Sequence, residues 1–197
     1  MTVSRRVMFI HTDTNGLHNT YKPVSKKYIF DFARLISLKY SVGTFNYKEN
    51  GEINKFNEEK KEKYIFTPKC VTFDKEAEKI HGISFEKAMK KGKDNYHIMR
   101  QFQKDLNRVD IIVGHNLTFH IKAIQVELFR SCVNIDFSNY ILIDLMDFDR
   151  DDKISLVNLA DKYNIDKEKY TDIKLIKKLF PLIYNDYLNK QDKQVNE

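Results

Sequence analysis

Four apolar residues in a row, Val7–Ile10 (VMFI), give way to the polar stretch HTDTNG, His11–Gly16. Side chains of a strand alternate between its two faces, so an uninterrupted apolar run has to be covered on both. That makes RRVMFI, Arg5–Ile10, the central strand of a sheet with layers above and below it. The polar stretch then falls at the rim of the sheet, where a buried strand delivers chemistry. The first group delivered is His11, with Asp13 two places later.

The rest of the chain supplies the layers. Phe30–Val42 alternates apolar and polar residues well enough to be a second strand. Asn50–Gly51 is a hairpin turn signal. The stretch NEEKKEK (57–63) reads as a solvated loop or edge, and KYIFTPK as a short strand ended by Pro68. The character changes after that proline. FDKEAEKIHGIS is a short helix closed by Gly82, and Ser84 caps a second one, FEKAMKKG. Tyr96, Ile98, Met99, Phe102 and Leu106 follow at helical spacing. VDIIVGHN is a buried strand, and LTFHIKAIQVELFRS a helix with Phe119, Ala123, Val126 and Phe129 along one stripe. YILIDLM is a further strand, Ser155 caps SLVNLADKYN, and YTDIKLIKKLFPLIY is the last amphipathic helix. Three antiparallel strands followed by strands alternating with helices predict an α/β fold with a mixed, helix-flanked sheet. One domain is expected over residues 1–183, with 184–197 forming the end of the last helix and a frayed tail.

Lysine and arginine number 34 against 28 acids, a formal net charge of +6, which favours a polyanionic partner without proving one. Cys70 and Cys132 lack metal-type spacing, and no secretory leader or membrane-length apolar run is recognisable. An intracellular setting, cytoplasmic or nuclear, is therefore expected, with no membrane partner.

Four stretches in order, IHTDTNGL, AEKIHGIS, VGHNLTFH and YTDIKLIKKL, resemble the DnaQ-like (DEDD) family of 3′–5′ exonucleases. The resemblance extends over about residues 5–180 and implies a ribonuclease-H-like fold. It also implies two divalent metals held by four acids, which clamp the scissile phosphate at a 3′ end. Carried over residue by residue, the four ligand positions fall on His11, Asp13, His120 and Asp172. Two of the family's aspartates are histidine here, and its glutamate is shortened to Asp13. Lys167 and Glu168 stand where the family's general base would be. Thr14, Asn15, Gly16 and Leu17 fall on the nucleotide-contacting turn, and His115 and Asn116 on the strand-to-helix turn, where they brace the loop or line the substrate groove. Asp144 is a candidate substitute carboxylate, His81 a turn organiser and Phe119 a core residue.

Two readings follow from the altered ligands. Neutral imidazole is a poor ligand for Mg²⁺, so magnesium-dependent cleavage is impaired or lost, and the chain is a pseudo-exonuclease that binds nucleic acid or protein. Alternatively, two imidazoles and two carboxylates suit Mn²⁺ or Zn²⁺ better than Mg²⁺, and the centre works with a changed metal. The first reading needs no cofactor and the second needs one divalent ion. Both imply single-stranded DNA or RNA 3′ ends as partners, with a protein partner as the further option.

Overall fold

A computed structural model describes residues 5–69, 73–148 and 154–195, with side chains through residue 189. Cys70 lies outside the described residues. The central strand is β1, Arg5–Thr14, and it is longer than its apolar run because the polar HTDT stretch stays in the ladder. It pairs antiparallel with β2, Leu35–Tyr47, which pairs antiparallel with β3, Ile53–Ile65. On its other side β1 pairs parallel with β4, Ile111–Gly114, and β4 with β5, Ile141–Asp144. The order is β3-β2-β1-β4-β5, a mixed five-stranded sheet of ribonuclease-H-like type.

Between β3 and β4 run α1 (Lys75–His81), α2 (Phe85–Lys91) and α3 (Asn95–Leu106). Helix α4, Leu117–Arg130, joins β4 to β5, and α5 (Leu156–Lys162) and α6 (Asp172–Val195) complete the chain. Even-numbered Met8 and Ile10 of β1 enter a core with Met99 and Phe102 of α3 and Ala123 and Ile124 of α4. Odd-numbered Val7 and Phe9 enter a second core with Leu159 of α5 and Ile176 and Phe180 of α6. The two-sided burial expected of VMFI is thus supplied by different helices on the two faces.

The second strand begins at Leu35 rather than Phe30 and runs on to Tyr47. Residues 57–63, read from the sequence as a loop or edge, are the middle of β3, which is an edge strand. Its lysines and glutamates are exposed or half-buried there, and such charges keep a long edge from pairing with another chain. Gly51 takes φ 83°, as the predicted hairpin turn requires. Gly43 has no room for a side chain, because a Cβ would stand 2.1 Å from the Asn57 carbonyl oxygen across the ladder. At the C-terminus the helix continues through Val195, into the stretch expected to fray. On α4 the buried stripe is Leu117, His120, Ile121, Ala123, Ile124, Val126, Glu127 and Leu128, whereas Phe129 is exposed. Among the described residues no helix is long and apolar enough to cross a membrane.

Candidate metal centre and adjoining cleft

His11 and Asp13 are two apart on β1 and so share a face. The ladder sets Lys39 opposite His11 and Ser37 opposite Asp13 on β2, and a bulge follows at Asp13–Thr14. Bulges re-aim side chains near functional sites, and this one ends the regular pairing directly beside the acid. Asp172 arrives from the first turn of α6, where the helix dipole favours a carboxylate. His11 Nε2 lies 3.3 Å from Asp13 Oδ1 and 3.4 Å from Asp172 Oδ2. One ligand atom from each of His11, Asp13 and Asp172 falls within 4.8 Å of the others, so the three form a group able to hold a metal ion.

The fourth position behaves differently. His120 is buried on α4, its ring centroid 4.9 Å from that of His11. Its Nδ1 accepts the Thr12 backbone N–H at 3.2 Å and lies 2.7 Å from the Thr12 hydroxyl. A backbone N–H can only donate, so Nδ1 carries no proton and the ring is neutral. Burial, with the neighbouring His11, pushes its pKa down to about 3. His120 thus ties α4 to β1 and is not among the three residues whose ligand atoms converge.

Asp13 is also committed. Burial alone would raise its pKa, but the His11 hydrogen bond, Lys39 and Ser37 outweigh that and hold the carboxyl well below the usual range. The Ser37 hydroxyl donates to Asp13 Oδ2, and Lys39 Nζ lies 3.0 Å from the same oxygen. Lys39 Nζ is also 3.4 Å from Asp172 Oδ2. These residues do not fit a two-magnesium centre. Magnesium wants several oxygen ligands in octahedral array, whereas here one position is a sequestered imidazole and an ammonium stands at the carboxylates.

The other sequence-predicted residues divide between bracing and exposure. Asn15 Oδ1 accepts from the Arg34 N–H at 2.6 Å, and the Thr14 hydroxyl donates to the Gly16 carbonyl at 2.6 Å, so both shape the turn after β1. His115 Nε2 is 2.8 Å from the Ile154 carbonyl oxygen, a contact that braces the loop before α5. Asn116 takes a left-handed conformation, φ 58°, and offers α4 no side-chain cap. Asp144 supplies it instead, accepting from the N–H groups of Asn116 at 2.8 Å, Leu117 at 2.6 Å and Met146 at 3.1 Å. Asp144 is therefore a helix cap rather than a substitute metal ligand. His81 Nδ1 accepts from Ile83 N–H, in keeping with its reading as a turn organiser. Lys167 pairs with Asp161 at the surface, 3.2 Å away.

Beside the bracing turns lies a cleft of about 540 Å³ lined by Leu17, His18, Tyr21, Asn116, Phe119 and Lys122, among others. Phe119 is half-buried and stacks on His18, ring centroids 4.4 Å apart, so it is a wall of this cleft rather than core. His18 is fixed by the Ala33 N–H on Nδ1 and by the Phe119 carbonyl at Nε2. His18, Tyr21 and Lys39 escaped the sequence reading because no motif position covers them.

The sheet order and helix layers define a ribonuclease-H-like α/β fold. No family profile and no curated protein matches the sequence. Solved structures of exonuclease I do match in fold. Apo exonuclease I superposes with a TM-score of 0.65 at 15% identity, covering 92% of this chain and 42% of that one. E. coli exonuclease I in complex with a dA16 oligonucleotide gives 0.65 at 14% identity, covering 92% and 41%. An ExoI/SSB-Ct complex gives 0.60 at 17%, covering 94% and 43%. The chain thus spans about two fifths of the exonuclease I chains it matches.

Proposed function

We propose that this chain binds single-stranded nucleic-acid 3′ ends on a DnaQ-like exonuclease scaffold and does not cleave them with magnesium. The observation that carries this reading is His120, a neutral, buried imidazole hydrogen-bonded to Thr12 at the position where the family places a metal-binding aspartate. Binding is supported by the cleft beside it. Leu17 is 81% exposed and Tyr21 97% exposed, and Lys122 Nζ sits 5.9 Å over the Tyr21 ring. Exposed apolar and aromatic side chains beside a lysine suit bases that stack while their phosphates are neutralised. The net charge of +6 points the same way, and so does the fold shared with a structure holding a dA16 oligonucleotide.

The test is fluorescence anisotropy of labelled single strands, DNA and RNA, in the presence of a chelator. Binding is expected for single strands with a free 3′ end and weaker for blunt duplexes. Equal affinity for both, or none for either, contradicts the reading. A second reading is favoured by the convergence of His11, Asp13 and Asp172, whose ligand types suit Mn²⁺ or Zn²⁺. Shortening of a 5′-labelled strand in Mn²⁺, Co²⁺ or Zn²⁺ would establish it.

A further inference from the structure

Residues directly opposed in an antiparallel ladder project to the same face. The pairing of His11 with Lys39 and Asp13 with Ser37 therefore carries a lysine into the middle of the candidate metal group. The Lys39 side chain is only 14% exposed, and its ammonium bridges Asp13 Oδ2 and Asp172 Oδ2 at 3.0 and 3.4 Å. A lysine held this far from water at the centre of a sheet needs charged partners, and these two carboxylates supply them. The same two carboxylates are ligands that a metal would use.

We propose that Lys39 is a tethered cation at this centre. Its ammonium is the built-in counter-charge of the Asp13–Asp172 pair, and a divalent ion enters at His11, Asp13 and Asp172 only by displacing it. Lysine and metal then compete for the same oxygens. The inference rests on the reading of these residues as the altered centre of an exonuclease scaffold.

Mn²⁺ binding followed by electron paramagnetic resonance tests it on the full chain, natural and with Lys39→Met or Lys39→Arg. Removing the charge with Lys39→Met should tighten Mn²⁺ binding by at least about tenfold, since the ammonium no longer opposes the dication. Lys39→Arg keeps the charge and should stay close to the natural affinity. Equal or weaker Mn²⁺ binding in Lys39→Met overturns the proposal. A second measurement needs no variant. Acylation of the metal-free natural protein, read by mass spectrometry, should modify Lys39 far more slowly than Lys79, whose side chain is 72% exposed. Equal rates would also overturn it. Oligonucleotide binding by the natural protein in chelator is measured alongside. Its loss counts against the binding function, whereas the Mn²⁺ result decides the role of Lys39 independently.

Discussion

An imidazole whose Nδ1 accepts a backbone N–H in a buried site gives up that bond when it is protonated. The His120 pKa of about 3 lies far below the value of 6.5 for an ordinary histidine. Between those values the unfolded chain binds the proton and the folded one does not. The stabilisation from His120 is therefore complete above pH 6.5 and is lost as pH falls toward 3, by up to about 1.4 kcal/mol per pH unit. His18 and His81, whose pKa values burial also lowers, add to the same trend. Urea titrations from pH 7 to pH 4 should show the decline, and His120→Asn should flatten it; an unchanged slope in that variant would assign the trend to other groups. Replacing His120 with alanine at pH 7 should cost roughly 2–4 kcal/mol through the orphaned Thr12 N–H and the cavity left behind. The motif position of His120 was legible in the sequence, but the direction of its ring was not, since that depends on a bond to Thr12 across 108 residues. Lys39 did leave a signal. Leu38, Tyr40 and Val42 share one face of β2, so Ser37, Lys39 and Ser41 must share the other, and a lysine on a covered face calls for a partner.

The junction of β4 with α4, the helix that carries His120, is held by a cap from the neighbouring strand. Asn116 enters the helix in a left-handed conformation without a side-chain cap, so the carboxylate of Asp144 at the end of β5 takes over the first N–H groups. Asp144→Ala should lower stability by about 1–2 kcal/mol in denaturant unfolding, with Asp144→Asn in between. Mn²⁺ affinity should be unchanged in both; a large drop would restore Asp144 as a ligand. From the sequence alone an acid at the end of a strand could serve either role, and only the hydrogen bonds to the N–H groups of Asn116 and Leu117 separate them. The long edge strand shows the opposite difficulty. Residues 57–63 are polar on both faces, so they carry no periodicity, and their strand structure comes from pairing with β2 along its length. By contrast, the caps at Ser84 and Ser155 and the left-handed Gly82 follow from local chemistry and were predictable residue by residue.

For the molecule as a whole, the mixed, helix-flanked sheet followed from the pattern of apolar runs and turns, whereas its strand order did not. Of the four motif positions, the structure brings the ligand atoms of His11, Asp13 and Asp172 together and turns His120 to Thr12. The chain carries a formal net charge of +6, and phosphate neutralisation releases counterions. Affinity for single strands should therefore fall by roughly tenfold or more between about 50 and about 200 mM salt. A flat dependence would favour a protein partner instead. The central claim is retention of a 3′ end without magnesium-dependent cleavage, and one sample tests both halves. A 5′-labelled single strand is mixed with excess protein in Mg²⁺, its anisotropy is recorded, and the same sample is then resolved on a denaturing gel. The account predicts a bound strand of unchanged length; a ladder of strands shortened from the 3′ end would contradict it.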